Sequence, residues 1–572
     1  MLFISITKNG VAQNFTSGKV EEFSLHSSKV TVLTDNFISD FFVEPDGFSV
    51  VESPLISTVD YKNLLLLQVT YDKKNESLNL FKSTIAGRPM YYHINPAGEF
   101  FCSTHISLLR TAGVPIKENI DVLPEFFVYR FVMPPNTLYK NIFQLNAGDH
   151  LQIKFAQDKA TASDIQHYML PQSKDQNNMS LVIEQTYTLL NNSIKTLDPV
   201  HKKISLLLSG GLDSSILYKI CQHNFQTDTT FSTGFPFENP KNNIEKEYSL
   251  SAARLFKTHH YYLDMTSENY LHDLLEAIAK AEVPVHHLQS VPIYALFKKI
   301  PEDKNIVISG LGADDLFGTI TQYNQFHVEQ RLLYKLLMKY VKSTYVKYLL
   351  TLLKKDWRNY VIIQENYRKS TYPLTDINNL IWSIGAHGSE EWTTQYFNIP
   401  KEDIIKYRYN EIKKLVDRSI YDIISIWSFL GSASTTQTIW SKLGECERKI
   451  LYYPYTHLDL INYAFSIPWD LKLKTPKNIL RFVAKKVDIP EEIINRQKSG
   501  FGITPELWAQ KDGIFESLIP LAKKIIKEEE IRKMQSTNLK KAMTYWNILN
   551  YSIWKRICIH NEPLDALLEE IT

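Results

Sequence analysis

The stretch ISLLLSGGLDSSILYKI, residues 204–220, decides the fold because a buried strand pattern meets two glycines and then a helical pattern. Its apolar run, broken by Ser205 alone, is typical of a fully buried strand, and helical periodicity resumes after Ser215. The glycines let backbone approach a ligand, the serines donate hydroxyl groups, and the new helix presents unpaired N–H groups. The stretch therefore predicts a phosphate site at the end of a strand.

The same strand-turn-helix order recurs after this stretch. Further strand patterns are TTFSTGF at 229–235, THHYYLD at 258–264 and KNIVISG at 304–310. Strands that alternate with helices indicate an α/β domain, in which a parallel sheet carries helices on both faces. Ligands of such sheets bind at the carboxyl ends of the strands, where both glycine-containing turns fall.

The first part of the chain has a different pattern. Short alternating apolar runs continue to about residue 155 and predict a β-rich domain of antiparallel strands. The polar segment 157–180 suits a linker, and a helix is expected at about 179–196. With 572 residues, 44% of them hydrophobic, the chain should divide into a domain at 1–170 and another at 180–572.

An amphipathic pattern occupies residues 331–355, where lysines alternate with apolar side chains. Its basic face could meet a membrane surface or an acidic peptide, but a helix that covers its own core and turns its lysines to solvent is the preferred interpretation.

Charge and cysteine usage exclude several classes of function. The formal net charge is +2, so nucleic acid is not the expected partner. Cys102, Cys221, Cys446 and Cys558 are scattered without metal-ligand spacing, which favours a reducing compartment. No apolar stretch is long enough for a membrane span, and the first residues lack the features of a secretory signal. A cytoplasmic location is expected.

Several motifs together resemble one known family. The 204–215 loop looks like the pyrophosphate loop of the ATP pyrophosphatases, and IVISGLGADDLFG at 306–318 resembles the asparagine synthetase segment SG(D/E)G(A/S)DE(L/I)FGG. EVPVHHLQSVP at 282–292 and the segment 479–508, which contains NRQKSGFG, resemble later parts of the same family. More weakly, the segments at 78–104 and 134–153 resemble its glutaminase domain.

The resemblance implies a fold and a set of ligands. The expected fold is an α/β synthetase domain with a parallel sheet, preceded by an α+β domain similar to N-terminal-nucleophile hydrolases. The expected ligands are ATP and Mg²⁺. The Mg²⁺ ligands are Asp213, whose carboxylate in a phosphate loop itself suggests a hard cation, and Asp314. The residues expected to hold the nucleotide are Leu206, Leu207, Leu208, Ser209, Gly210, Gly211, Leu212, Asp213, Ser214, Ser215, Thr233, Gly234, Ser309, Gly310, Leu311 and Gly312.

Catalytic roles are assigned from the same resemblance. Lys498 matches the family lysine that contacts the charge developing on the phosphate and acyl oxygens. Glu282 and Glu447 are candidates for accepting the proton of the attacking amine, and His286, His287 and Glu445 are further candidates.

Two departures from the family pattern change the expected function. Leu2 stands where a glutamine-hydrolysing member has its nucleophilic cysteine, and no cysteine precedes Cys102, so the first domain is expected to lack glutaminase activity. Leu311 stands where the family has an acid between two glycines, while Asp315 replaces the usual Glu. Relatives that form β-lactams or close lasso peptides also vary the acidic position, and they use an amine of their own substrate.

The leading hypothesis is an AMP- and pyrophosphate-forming amide synthetase that adenylates a carboxylate and condenses it with an amine. A lactam or macrolactam of natural-product biosynthesis is the expected product, and a precursor peptide with its maturation protease is one expected set of partners. Two alternatives stay open: an ammonia-dependent enzyme similar to asparagine synthetase, and a non-catalytic scaffold that keeps the fold.

Overall fold

The computed structural model describes most of the chain, in segments. These are residues 1–8, 18–25, 28–34, 39–44, 47–52, 67–83, 87–156, 159–166, 170–172, 178–197, 204–225, 227–235, 240–319, 322–323, 326, 385–415, 417–496 and 505–571. The amphipathic pattern at 331–355 lies outside them.

The first domain contains twelve strands in the described residues. They are β1 (Leu2–Thr7), β2 (Lys19–Leu25), β3 (Ser28–Thr34), β4 (Ser39–Glu44), β5 (Gly47–Glu52), β6 (Leu67–Asp72), β7 (Ser77–Lys82), β8 (Tyr91–Ile94), β9 (Phe100–Ser103), β10 (Phe143–Gln144), β11 (His150–Ala156) and β12 (Lys159–Gln166). They form two antiparallel sheets in the orders β10-β8-β9-β1-β3-β2 and β12-β11-β7-β6-β5-β4.

Alternation along the strands builds the core between the two sheets. In β6, for example, Leu67, Val69 and Tyr71 are buried while the residues between them are partly exposed. Residues of both sheets join in one apolar cluster, which includes Leu2 of β1 and Leu80 of β7. The predicted antiparallel domain is thus present, as a sandwich.

Part of the predicted linker is a strand. β12 lies within residues 157–180 and pairs with β11 along its length. The polar sequence of β12 misled the prediction because an edge strand needs few apolar side chains to pair. The described part of this domain also has three short helical segments: α1 (Ile106–Thr111), the 3₁₀ turn Ile120–Val122 and α2 (Leu123–Tyr129).

In the part of the second domain that the structure describes, a parallel sheet has five strands. These are β13 (Ile204–Leu207), β14 (Thr229–Gly234), β15 (His259–Asp264), β16 (Ile306–Ile308) and β17 (Ile450–Tyr452), in the order β15-β14-β13-β16-β17. The connecting helices are α3 (Met179–Lys195), α4 (Leu212–Phe225), α5 (Pro240–Phe256), α6 (Ser267–Ala281), α7 (Ser290–Phe297) and α8 (Ala313–Phe317). The α/β prediction therefore agrees with the structure, and only β17 was not anticipated from the sequence.

The other regular elements of the described chain are helices. Before β17 they are Glu390–Phe397, Lys401–Lys413, Ile420–Ser428, the π-helical turn Phe429–Ala433 and Ser434–Cys446. After β17 come Pro454–Thr456, Leu458–Ser466, Trp469–Lys472, Asn478–Lys486, Glu491–Ile494, Pro505–Trp508, Ile514–Leu518, Ile519–Ala522, Glu528–Arg532, Leu539–Trp554, the π-helical turn Lys555–Ile559 and Leu564–Glu569. Within the described segments, no helix combines the length and the apolar character needed to cross a bilayer.

One apolar core joins the two domains. Phe3, Tyr91 and Phe127 of the first domain belong to the same buried cluster as Trp546 and Trp554 of the helix Leu539–Trp554. The Asn547 side chain also donates to the Phe127 carbonyl at 2.8 Å, across 420 residues of sequence. All four cysteine thiols are free, and those of Cys102, Cys221 and Cys558 are buried.

Candidate active site

A cavity of about 460 Å³ opens at the carboxyl ends of β13, β14 and β16. This position follows from the topology, because the strand order reverses next to β13 and leaves a crevice there. The residues that were predicted to bind nucleotide or metal and that line the cavity are Leu207, Leu208, Ser209, Asp213, Ser214, Thr233, Gly234, Ser309, Gly310, Leu311, Gly312 and Asp314. Leu206, Gly210, Gly211, Leu212 and Ser215 lie beside them without lining it.

The loop between β13 and α4 folds back on its own hydroxyl groups. Ser209 Oγ accepts the Gly211 amide at 3.2 Å and lies 3.2 Å from Ser214 Oγ. Gly210 has a φ of +70°, and a Cβ there would lie 2.3 Å from the Tyr248 carbonyl oxygen, so only glycine fits. The turn thus presents serine hydroxyls and the start of α4 to the same space.

Two carboxylates from neighbouring strand ends meet at one lysine. The Lys477 ammonium contacts Asp213 and lies 2.8 Å from Asp314 Oδ1. Burial alone would lower the pKa of Lys477, but the two carboxylates outweigh burial and raise that pKa well above its usual range. Lys477 is therefore a fixed positive charge between the two predicted metal ligands.

The donor set fits a magnesium ion. Asp213 Oδ1 is buried and accepts no hydrogen bond from the described residues, so one hard oxygen is available for a ligand. Asp314 keeps part of its side chain exposed to the cavity. Carboxylate oxygens beside phosphate oxygens are the ligands that Mg²⁺ takes in nucleotide sites.

The end of β14 also lines the cavity. Thr233 donates to the Leu263 carbonyl at 3.0 Å, which fixes its side chain toward β15. The Tyr262 hydroxyl lies against Gly234, and within the described parts of the chain it has no hydrogen-bond partner although it is buried. This hydroxyl is a polar group available to a ligand.

Leu311 lines the cavity, and its amide lies 3.4 Å from Ser309 Oγ. The cavity is also lined by Ser432 and Ala433 of the π-helical turn Phe429–Ala433 and by Thr436 of the following helix. Inserted π turns place side chains out of helical register and occur often at functional sites. This wall was not anticipated from the sequence.

The structure does not bring Glu282 to the cavity, which argues against its predicted role as proton acceptor. Its carboxylate accepts the Ile106 and Ser107 amides at 2.9 and 2.7 Å and the Lys442 ammonium at 2.5 Å. Burial would raise the pKa of Glu282, but Lys442 and His105 outweigh burial and lower it to about 2. Glu282 therefore caps α1 of the first domain and joins the two domains.

Glu447 and Glu445 are also occupied elsewhere. Glu447 pairs with Lys280 at 2.9 Å and accepts the Tyr294 hydroxyl at 3.2 Å, and neither glutamate lines the cavity. Glu445 Oε2 accepts Arg88 Nε at 2.8 Å across the domain interface. Proximity in sequence to family segments misled these predictions, because both glutamates lie at the carboxyl end of the helix Ser434–Cys446, whereas Thr436 and Trp440 of the same helix line the cavity.

The two histidines divide between the cavity wall and the interior. His287 lines the cavity, whereas His286 lies behind it and is almost fully buried. Burial is the main reason that the pKa of each imidazole lies well below its usual range, so both are neutral bases. His287 is the one proton-acceptor candidate from the sequence that reaches the cavity.

Lys498 lies outside the described residues. The nearest described residue before it, Arg496, stacks over the Tyr248 ring at 3.7 Å from the ring centre, and one guanidinium nitrogen lies close to Gly211. Arg496 therefore adds a cation beside the phosphate loop.

Sequence reasoning missed Lys477, Arg496 and Tyr262. Arg496 lies within the NRQKSGFG stretch that carried the resemblance, and Lys477 lies two residues before the resembling segment 479–508. Their positions in or next to a segment that resembles the family were the sequence features that could have identified Arg496 and Lys477. For Tyr262 the signal was its place near the end of a strand.

Comparison with known proteins agrees with this architecture. The family model for asparagine synthase matches residues 187–425 and 449–551, which together make up more than half of the chain. A model for a glutamine amidotransferase domain matches residues 66–169.

Curated relatives are similar at low identity. Asparagine synthetase (glutamine-hydrolyzing) 1 of Bacillus subtilis is 22% identical over 438 residues, which cover 74% of this chain and 65% of that protein. Putative asparagine synthetase (glutamine-hydrolyzing) 2 of Methanocaldococcus jannaschii is 27% identical over 266 residues, covering 45% of this chain and 50% of that protein. The matched part of the chain thus spans between half and two thirds of the length of these relatives.

Proposed function

The chain belongs to the asparagine synthase family, and from that premise we propose that it is an ATP- and Mg²⁺-dependent ligase that forms an amide bond and releases AMP and pyrophosphate. The observation that carries the proposal is the meeting of Asp213 and Asp314 at one cation, directly beside the Ser209–Ser215 loop. A P-loop kinase holds its phosphates with a different loop and a lysine inside it, which this turn lacks.

The residues of the cavity would divide the work as follows. The Ser209–Ser215 loop and Arg496 bind the outer phosphates, and Asp213 and Asp314 hold the metal. Bound Mg²⁺ neutralises phosphate charge, so that a substrate carboxylate can displace pyrophosphate at the α-phosphorus and an amine can then displace AMP. Lys498 keeps its proposed role of stabilising the charge that develops in both displacements.

The amine is proposed to be part of the substrate, which would make the product a lactam or macrolactam. Leu311 supports this proposal, because an apolar side chain in the cavity wall cannot orient ammonia as a carboxylate could. His287 is the proposed proton acceptor, since it is neutral and lines the cavity. A small molecule or a precursor peptide would satisfy these requirements.

The first domain is proposed to have no glutaminase activity. Leu2 is fully buried in the sandwich core, and its amide donates to Thr104 Oγ1 at 3.0 Å. A leucine side chain offers no nucleophile, so we assign this domain a structural role. Arg88 and Glu445, which pair across the domain interface, are consistent with that role. The free thiols support a reducing compartment such as the cytosol.

The test of the function is the nucleotide product. Purified protein is incubated with Mg-ATP and candidate acids and amines, and AMP, ADP and pyrophosphate are quantified. AMP with equimolar pyrophosphate is expected, and Asp213→Asn should lower its formation at least about 100-fold. Asp228→Asn is the matched control, because Asp228 is largely exposed at the opposite edge of the sheet, before β14.

Each other outcome points to a different function. ADP and phosphate as products would contradict the proposal. Aspartate converted to asparagine with free ammonium would replace the lactam hypothesis by an ammonia-dependent synthetase. An in vivo pathway that proceeds unchanged with Asp213→Asn would favour the scaffold.

A further inference from the structure

Charge is divided unevenly over the lining of the cavity. Among the described residues that line it, every charged one is an acid, and each belongs to a helix that follows β13, β14 or β16. These acids are Asp213, Glu245, Asp314 and Asp315. The described lining from 287–297 and from the helices at 420–446 has no charge, since burial holds the pKa of His287 well below its usual range. A substrate that binds beside the metal ligands therefore also meets a neutral surface.

Apolar side chains dominate this neutral surface. Four of them belong to one buried cluster, and the fifth, Leu311, packs against that cluster. We call the five residues the apolar wall: Phe235, Ile293, Leu296, Leu311 and Trp440. All except Leu311 are buried, and packing at the density of a protein interior holds such side chains in place. The apolar wall is therefore formed before any ligand binds.

Trp440 is held in one orientation within the apolar wall. Its Nε1 donates to Ser290 Oγ at 2.9 Å, and Ser290 is the first residue of α7. The indole N–H is the single polar group of a tryptophan side chain, so this bond leaves only apolar ring surface for a ligand. Trp440 thus provides an apolar platform of fixed position.

The helices at 420–446 present a row of side chains to the cavity, spaced four residues apart: Ser428, Ser432, Thr436 and Trp440. A regular α-helix turns about 100° per residue, so each four-residue step would overshoot a full turn by about 40°. The wider π-helical turn Phe429–Ala433 takes up part of this rotation. The Thr436 hydroxyl donates to the Ser432 carbonyl at 2.8 Å, which satisfies it within the helix. This row therefore adds no charge beside Trp440.

We propose that the acid substrate has a single carboxylate and that the rest of the molecule is an uncharged aliphatic or aromatic group, which packs against Trp440 and the apolar wall. This inference rests on the proposed function, since it concerns the substrate of that same cavity. Apolar surface buried against the wall stabilises the complex in proportion to its area. A second carboxylate would lose its hydration there with no cation among the described lining residues to replace it. Dicarboxylic acids such as aspartate are therefore outside the substrate class.

Equilibrium binding tests the inference without turnover. The full-length protein, labelled with 5-fluorotryptophan, is loaded with Mg²⁺ and α,β-methylene-ATP and titrated with pairs of acids of the same shape. In each pair an isopropyl group replaces one carboxylate: 4-methylpentanoate against succinate, and 5-methylhexanoate against glutarate. The aromatic probe is 3-phenylpropanoate. At least one apolar acid should shift the ¹⁹F signal of Trp440 and bind about 10-fold or more tightly than either diacid.

Variants locate the effect on the apolar wall. Trp440→Phe identifies the Trp440 signal by its loss and should weaken binding of the apolar acids about 5-fold, because the smaller ring leaves a gap. Trp392→Phe is the matched control, since Trp392 is 5% exposed against 7% for Trp440. The Trp392 Nε1 also donates, to Glu530 Oε2 at 3.2 Å, and the residue does not line the cavity.

A second variant keeps the test independent of the Trp440 substitution. Leu311 is partly exposed, so Leu311→Asn changes the polarity of the apolar wall at nearly constant size and leaves the buried core unchanged. It should weaken binding of the apolar acids about 5-fold, because a polar amide would have to give up water to contact them. This result is expected even where Trp440→Phe does not fold.

Three results would overturn the inference. The first is binding of a diacid as tight as that of its apolar counterpart. The second is a Trp440 signal that no acid shifts. The third is a Trp440→Phe variant that binds α,β-methylene-ATP more weakly but the apolar acids normally, which would assign the wall to the nucleotide base. AMP formation is measured separately, so a failure of the proposed ligase function is distinguishable from a failure of these binding readouts.

Discussion

Removing the Lys477 charge should destabilise the ligand-free site and make the protein depend on Mg²⁺. In Lys477→Met the two aspartates lose their shared cation. At 2.8 Å, opposite unit charges attract by about 6 kcal/mol at an effective dielectric constant of about 20. Desolvation offsets part of this energy, and breaking a buried pair costs about 3–5 kcal/mol. Because 40% of the Asp314 side chain is exposed, the lower end applies, and we expect a loss of about 3 kcal/mol.

Magnesium should reverse most of that loss. At a concentration of about 100 times its dissociation constant, an ion that binds only the folded state adds about 2.7 kcal/mol to stability. The wild type should respond less, because Lys477 already neutralises the carboxylates. The stability that the Lys477 ammonium contributes should be fully present below the pKa of an unfolded lysine. It should disappear only as pH rises through the elevated pKa of Lys477 in the folded protein.

Hydrogen exchange of peptides from β13 and α4, measured across a urea series with and without MgCl₂, reports this local stability. Lys304→Met is the control, since Lys304 only approaches Asp228 at 3.9 Å near the surface, and it should change stability by no more than about 0.5 kcal/mol. A loss below about 1 kcal/mol in Lys477→Met, or an equal Mg²⁺ response in both proteins, would refute the reasoning.

Three further predictions concern the loop and the domain interface. Gly210→Ala should lower the free energy of unfolding by at least about 2 kcal/mol and abolish binding of an ATP analogue. The control Gly113→Ala, with φ of +87° but open space at its Cβ, should lower it by about 1 kcal/mol and leave binding normal. Urea unfolding measures the stability of the two variants, and calorimetric titration measures their binding. Glu282 should contribute about 3 kcal/mol of stability above pH 4.5, and this contribution should be lost as pH falls toward 2. The urea midpoint of the wild type should therefore fall as the solution is acidified. The midpoint of Glu282→Gln should be lower at neutral pH and should change less with pH. Arg408→Met, which breaks the buried pair with Glu125 at 2.7 Å, should lower stability by about 3–5 kcal/mol, and an unchanged unfolding midpoint would contradict this.

Local sequence patterns predicted the sheet and the loop because their causes are local. An apolar strand followed by Ser209, Gly210 and Gly211 can only turn tightly before α4, and the structure has that turn. Asp213 and Asp314 follow neighbouring strands, so topology brings them to one edge of the sheet. The antiparallel runs of the first domain were visible for the same reason.

The remaining features depend on contacts between distant segments. Glu282 was expected at the site because of its neighbours in sequence, yet its αL conformation and its bond to Lys442 turn it toward α1. Lys477 reaches Asp213 across 264 residues, and no local pattern encodes such a contact. Edge strands such as β12 were missed because their polar side chains carry little periodicity.

The shared core described above has a consequence for how the chain is made. Phe127 leaves the ribosome long before the helix Leu539–Trp554, whose indoles and Asn547 complete the packing around it. During synthesis the first domain therefore exposes this apolar surface until the helix has been made. The exposed surface favours chaperone binding or aggregation. The amino-terminal half expressed alone should therefore aggregate or bind chaperones. Co-expression with the separately encoded remainder of the chain should prevent this, because the remainder supplies the helix Leu539–Trp554 that covers the apolar surface.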